Sequence, residues 1–186
     1  MLEIEIKARA ESHARLIERL SAAGFALADT LLESDTYFNG GGRDFAKTDE
    51  ALRLRSTENA DTGARAEAIT YKGPKLDQLS KMRREYEVGL SNAPLMRELL
   101  CALGYAPVFT VKKCRAYYTR GNITACVDMV EGLGSYVELE TIAEENAQNE
   151  ETVEKLFALL EALGVPRESC TRKSYLELLL EKSAAK

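Results

Sequence analysis

Three short segments of this 186-residue chain set glutamates on either side of a single apolar residue: Glu3-Ile4-Glu5, Glu85-Tyr86-Glu87 and Glu138-Leu139-Glu140. Along a strand, residues two apart share a face, so each triplet puts both carboxylates on one side and its apolar neighbours on the other. Each triplet is followed by an amphipathic helical stretch and a glycine, Gly24, Gly104 or Gly164, and then within 11 to 13 residues by Tyr37, Tyr117 or Tyr175. The repetition predicts three β-α-β-type units, with extra strands over 51–57, 66–72 and 123–130.

The helical stretches have apolar stripes. Ser12 caps the first, which presents Leu16, Ile17, Leu20 and Ala23 and stops at Gly24. The second, 91–104, is expected to turn Leu95, Met96, Leu99, Leu100 and Leu103 inward, and the third, 149–164, carries Val153, Leu156, Phe157, Leu160 and Leu163. A short helix over 174–182 closes a single domain of residues 1–182, and 183–186 should fray. The stretches 39–43 and 58–65 read as loops or hairpin turns. Asn39-Gly40-Gly41-Gly42-Arg43 could cradle a phosphate, but with no helix expected after it a plain turn is the simpler reading.

The charged alternation recurs. Leu2, Ile4 and Ile6 oppose Glu3, Glu5 and Lys7; Leu52 and Leu54 oppose Arg53 and Arg55; Lys113 and Arg115 share a face, as do Arg83, Glu85 and Glu87. Any one such strand could be the solvated side of an antiparallel sheet. Taken together they favour another arrangement, because three apolar-striped helices need the apolar strand faces to pack on. The predicted fold is α+β: about eight strands wrapped with the charged face inward and helices outside. That face would gather Glu3, Glu5, Glu85, Glu87, Asp128, Glu138 and Glu140 with Lys7, Arg53, Arg55, Lys72, Arg83, Lys113, Arg115 and Lys173. Burying so many charges requires mutual pairing, water and ligands. Arg and Lys match phosphoryl oxygens. Clustered carboxylates without histidine or thiolate partners suit Mg²⁺ or Mn²⁺. The joint implication is a metal-polyphosphate site.

Composition bounds the partners. Thirty acidic against twenty-five basic residues give a net charge of -5, so the chain as a whole is not built for nucleic acid or an anionic membrane, and an anion must meet a local cluster of bases. No apolar run approaches the roughly 20 residues of a membrane span. His13 is the only histidine, and Cys101, Cys114, Cys126 and Cys170 form no C-x-x-C pair. Zinc and a disulfide framework are therefore not expected, and a reducing cytoplasm is. His13 reads as a surface residue, Cys101 and Cys126 as small apolar packers, Cys114 as facing away from the charged side, and Tyr37, Tyr117, Tyr118 and Tyr175 as core residues before base-stacking ones.

Glu3-Ile4-Glu5-Ile6-Lys7 resembles the E-x-E-x-K signature of the CYTH superfamily, the triphosphate tunnel metalloenzymes. Further blocks follow in that family's order: Thr48 to Arg55, Thr70-Tyr71-Lys72-Gly73-Pro74, Arg83 to Glu87, Lys113-Cys114-Arg115, Asp128, and Glu138-Leu139-Glu140. The likeness covers residues 1–182. The Thr-Tyr-Lys-Gly-Pro block and Leu133-Gly134-Ser135-Tyr136-Val137-Glu138 are most similar to the class IV adenylyl cyclase branch.

The resemblance implies an eight-stranded antiparallel β-barrel forming a tunnel. It implies that Lys7, Arg53, Arg55, Lys72, Lys113 and Arg115, with Arg83 and Lys173, hold a triphosphate, and that Lys7, Arg53, Lys113 and Arg115 act on the reacting phosphorus. It implies that Glu3, Glu5, Asp128, Glu138 and Glu140, with Glu87, hold Mg²⁺ or Mn²⁺, while Glu85 organises neighbouring bases. Lys112 and Arg84 fall on the opposite strand face. A cyclase acting on ATP and a triphosphatase acting on thiamine triphosphate or tripolyphosphate need the same cationic cradle. The motif therefore fixes the ligand class better than the reaction, and a non-catalytic polyphosphate-binding module also meets it. A homodimer would be ordinary for this branch.

Overall fold

The computed structural model describes residues 2–40, 42–74, 84–143 and 149–184, the side chains of Leu2, Glu3, Ala143 and Asn149 excepted. The strands are β1 (Leu2–Arg9), β2 (Ala26–Gly40), β3 (Ala51–Asn59), β4 (Arg65–Lys72), β5 (Glu85–Leu90), β6 (Tyr105–Arg120), β7 (Ile123–Val130) and β8 (Gly134–Ala143). The helices are α1 (His13–Ala22), α2 (Phe45–Thr48), α3 (Ala93–Ala102), α4 (Asn149–Ala162) and α5 (Tyr175–Ala184), and a 3-10 turn spans Arg167–Ser169. The strands form one sheet in the order β1-β8-β7-β6-β2-β3-β4-β5, and each strand register described is antiparallel. The α+β class and the eight-stranded antiparallel sheet are as the sequence predicts.

The described residues divide into two compact units, one built from 2–30, 114–143 and 149–184 and the other from 31–40, 42–74 and 84–113. In the first, the apolar sides of β1 (Ile4, Ile6, Ala8), β7 (Ala125, Val127) and β8 (Val137, Leu139) are buried against Leu16 and Leu20 of α1 and Leu156, Leu160 and the following Leu163 of α4. Each fully buried leucine here contributes on the order of 1.5–3 kcal/mol of transfer free energy. Ser12 caps α1 by accepting from the Arg15 N–H. In the second unit, Phe38, Phe45, Leu52, Leu54 and Leu100 form a smaller core with Met96, Ile69 and Tyr105. The charged strand faces lie opposite these cores, so the helices lie where the inverted alternation puts them.

Four local expectations are corrected. The apolar stripe of α3 is wider than its contact: Leu100 and Met96 pack, but Leu95, Leu99 and Leu103 are 59%, 48% and 67% exposed, because the smaller core receives only one edge of the helix. The third repeat is incomplete, since after α4 the chain pairs with β1 through the isolated bridge Ala8–Cys170 and not through a strand, and Tyr175 starts a helix. The glycine run is followed by the four-residue helix α2, and Asn39 organises it by accepting from the Gly40 and Phe45 N–H groups. Helix α5 continues to Ala184, past the expected end at 182. The three expected helix stops are met: Gly24, Gly104 and Gly164 have φ of +81°, +88° and +69°, a region open to glycine without a Cβ clash.

Candidate functional site

The first unit carries a carboxylate-rich cluster on its charged face. In the β1–β8 register Glu5 stands opposite Glu140 and Lys7 opposite Glu138, and in the β7–β8 register Cys126 stands opposite Glu138. Carboxylate oxygens of Glu5, Glu138 and Glu140 lie within 4.8 Å of one another. Lys7 Nζ pairs with Glu138 Oε1 at 2.8 Å, both side chains being buried. Arg115 grips Asp128 with two bonds, Nε to Oδ1 at 2.7 Å and Nη2 to Oδ2 at 2.6 Å, and reaches Glu138 as well. A fork of this kind matches a carboxylate in geometry and charge. Burial works against the charged form of Arg115, but the charges of Glu138 and Asp128 overcome it and hold its pKa well above the ordinary value. Arg115 therefore stays a cation. The Cys126 thiol donates to Glu140 Oε1 at 3.6 Å, and burial pushes its own pKa up strongly, so it is a poor thiolate.

The second unit carries a base-rich cluster centred on Asp35. Arg55 binds it through Nε at 2.6 Å and Nη2 at 2.7 Å, and Arg53 Nη1 approaches at 3.4 Å. Glu33, 3% exposed, sits 3.0 Å from Arg55 Nη2 and 3.1 Å from Lys113 Nζ. The β2–β3 register causes this, since Asp35 faces Arg55 and Tyr37 faces Arg53. Burial raises the Asp35 pKa, but the hydrogen bond from Arg55 and the charges of Arg53, Arg55 and Lys113 outweigh it and leave it at about 2. Arg53 Nε also donates to Thr70 Oγ1 at 3.5 Å, and that hydroxyl donates to Glu87 Oε2 at 2.9 Å. Lys72 pairs with Glu85 at 2.5 Å.

The two clusters differ in sign. Glu5, Asp128, Glu138 and Glu140 outnumber Lys7 and Arg115 in the first; Arg53, Arg55 and Lys113 outnumber Glu33 and Asp35 in the second. The first favours a hard cation and the second an oxyanion. Among the described residues, Glu5, Glu138 and Glu140 form the group able to hold a divalent ion. Three oxygen donors at this spacing fit Mg²⁺ or Mn²⁺.

Several expected site residues fall elsewhere. Asp128, expected at the metal, is wholly buried, has both oxygens engaged by Arg115 and Tyr175, and is not in the three-carboxylate group. Glu87 accepts from Thr70 in the second unit and is not in the three-carboxylate group. Lys173 pairs with Glu181 at 2.6 Å, both about half exposed, and joins neither cluster. Arg83 and the Glu3 side chain lie outside the described residues. Lys112 is exposed where its neighbour Lys113 is buried, as alternation predicts. Glu33, Asp35, Thr70 and Tyr175 were not anticipated as site residues. Glu33-Ser34-Asp35 spaces its carboxylates as the E-x-E triplets do, but polar Ser34 stands where those have an apolar residue, so the strand's faces are not marked.

Comparison with known proteins bears on this geometry. The model of the CYTH domain family matches residues 1–175. A Methanocaldococcus jannaschii protein named "Putative adenylate cyclase MJ0240" is 38% identical over 178 residues, which is 96% of this chain and 98% of that protein. The structure of the PH1819 protein of Pyrococcus horikoshii superposes with a TM-score of 0.88 at 40% identity, covering 97% of this chain and 99% of that one. A more distant Hippeastrum protein, HpAC1, 18% identical with a TM-score of 0.68 over 97% of this chain and 95% of its own, shares the fold and is described as having a dominant triphosphatase activity.

Proposed function

The chain belongs to the CYTH family, and from that premise we propose that it is a class IV-type adenylyl cyclase converting ATP to 3′,5′-cyclic AMP and pyrophosphate with Mg²⁺ or Mn²⁺. The observation that carries the reading is the division of charge: a carboxylate group of Glu5, Glu138 and Glu140 on one set of strands, and a base cluster of Arg53, Arg55 and Lys113 on another. The kinship with a protein bearing an adenylate cyclase name supports the choice of reaction.

In this reading, as the CYTH resemblance implies, Arg53, Arg55, Lys72 and Lys113, with Lys7 and Arg115, bind the triphosphate oxygens. Glu33 and Asp35 hold the guanidinium planes and the Lys113 ammonium in place before substrate arrives, so little reorganisation accompanies reaction. Glu5, Glu138 and Glu140 would hold the divalent cation, which supplies charge neutralisation at the phosphoryl oxygens. The ribose 3′-hydroxyl attacks the α-phosphorus as its proton passes to solvent, the α–β bridging P–O bond breaks, and the charge that develops on pyrophosphate is taken up by the surrounding bases.

A second reading is a triphosphatase, in which water attacks the terminal phosphorus of thiamine triphosphate or tripolyphosphate. The activity described for HpAC1 favours keeping it. Incubation with ATP and with 3′-deoxy-ATP in Mn²⁺, with products identified by chromatography and ³¹P NMR, separates the two. The cyclase releases pyrophosphate and cyclic AMP from ATP and leaves the deoxy analogue intact. Orthophosphate and the matching nucleoside diphosphate from both, with no cyclic AMP, would establish the hydrolase.

A further inference from the structure

Tyr175 joins two cations that the sequence places far apart. Tyr175 is 5% exposed, and its ring packs edge-on against Tyr136, with centroids 5.2 Å apart. Lys7 Nζ stands 3.9 Å from the ring centroid, where the quadrupole of the aromatic face attracts an ammonium, the more so when both are desolvated. At its far end the Tyr175 hydroxyl donates to Asp128 Oδ2 at 2.6 Å, and that same oxygen accepts from Arg115 Nη2 at 2.6 Å. Burial raises the phenol pKa, and the charges of Glu138 and Asp128 raise it further, so the hydroxyl keeps its proton and remains a donor.

The residue is itself firmly seated. Ser174 and Glu177 form a reciprocal cap at the start of α5: the Glu177 N–H donates to Ser174 Oγ at 3.2 Å and the Ser174 N–H to Glu177 Oε2 at 2.6 Å. Further along the helix Leu179 is buried, and Lys182 Nζ donates to the Gly132 carbonyl at 2.5 Å. One rigid ring therefore bears on Lys7 directly and on Arg115 through Asp128.

We infer that Tyr175 is a positioning residue for the triphosphate site, fixing the Lys7 ammonium against its ring and the Arg115 guanidinium through Asp128. The inference rests on the reading of Lys7 and Arg115 as phosphate-binding bases. It makes the cap of α5 part of the binding apparatus, so that the last helix of the chain sets the geometry of a base on the first strand.

Tripolyphosphate titrated by calorimetry into the full chain in EDTA tests it without turnover or metal. Tyr175→Phe keeps the ring under Lys7 and loses only the hydroxyl; Tyr175→Leu loses both. The dissociation constant should rise about threefold in the first and tenfold or more in the second. The Arg115 Nε–H resonance, followed by ¹⁵N NMR, should shift and exchange faster with water in both, a change that loss of packing alone would not produce in the phenylalanine variant. If the leucine variant does not fold, as judged by circular dichroism, the phenylalanine variant carries the test. Unchanged affinity together with an unchanged Arg115 resonance in Tyr175→Phe overturns the inference. Lys7→Ala serves as control: no binding by the unsubstituted protein, or undiminished binding by Lys7→Ala, overturns the site reading itself and this inference with it.

Discussion

Replacing Asp35 by asparagine removes the charge around which Arg53, Arg55 and Lys113 gather, and its cost should depend on pH in a way the structure specifies. The folded-state pKa is about 2 against an ordinary 3.8. A depressed carboxylate pKa stabilises the fold fully above the unfolded value, and that contribution disappears as pH falls through the folded one. The window is therefore pH 4 to 2. Nearly two pKa units, at about 1.4 kcal/mol each, correspond to about 2 to 3 kcal/mol. The side chain is 3% exposed, so solvent screening reduces this little. Urea unfolding of the parent and Asp35→Asn at pH 6, 4, 3 and 2 measures it. The gap in stability between the two should be widest at pH 6, hold to about pH 4, and narrow by about 2 kcal/mol by pH 2, where the parent's own carboxyl is half protonated, the remainder being lost below that pH. A gap that stays constant across that window would refute the argument that the three bases depress this pKa.

Other consequences follow from the same geometry. Glu140→Gln, which keeps shape and removes one charge from the three-carboxylate group, should raise the Mn²⁺ concentration needed for half-maximal activity at least several-fold without lowering the melting temperature; an unchanged metal requirement would sink the ligand assignment. Lys113→Ala and Arg115→Ala should each weaken tripolyphosphate binding by on the order of 1.5 to 3 kcal/mol, as loss of a charge-assisted contact does, whereas Lys112→Ala, on the exposed face, should change little; equal effects at all three positions would mean the strand register is wrong. Gly164→Ala should destabilise more than Gly104→Ala. Both glycines have positive φ, but a Cβ at 164 would stand 1.2 Å from Arg19 Nη1, which donates to the Leu163 carbonyl, whereas a Cβ at 104 meets nothing within 4 Å. Roughly 1 kcal/mol is expected at 104 from backbone strain and about 1 kcal/mol more at 164 for the displaced hydrogen bond; equal melting temperatures would count against that contact.

The parts of the fold written in local periodicity were legible in the chain. Alternation across β1, β3 and β8 fixed which side chains share a face, and the glycine stops marked helix ends because a positive φ is a local steric demand. The extent of α3 burial was not legible, because Leu95, Leu99 and Leu103 look like core until the size of the receiving sheet face is known. Glu33 and Asp35 were missed for a related reason. Their strand spans Ala26–Gly40 and mixes apolar and polar positions on both faces, so its period is blurred and only pairing with Arg53 and Arg55 reveals its polarity. The pairing of both Asp128 oxygens with Arg115 and Tyr175 was not legible, because sequence shows residue type and not who occupies its oxygens. Tyr175 seemed a core tyrosine, and it is buried as expected; that its hydroxyl meets Asp128 and its ring meets Lys7 is a tertiary fact.

The central claim is that the bases and carboxylates of the charged strand faces bind a triphosphate together with a divalent cation. Isothermal titration of tripolyphosphate into the protein, with Mg²⁺ and then with EDTA, tests it most directly. Saturable binding is expected at one site per chain, tighter with Mg²⁺, weakening steeply as salt rises, and abolished in Arg53→Ala/Arg55→Ala. Absence of binding at millimolar tripolyphosphate, or binding unaffected by the loss of both arginines, would contradict it.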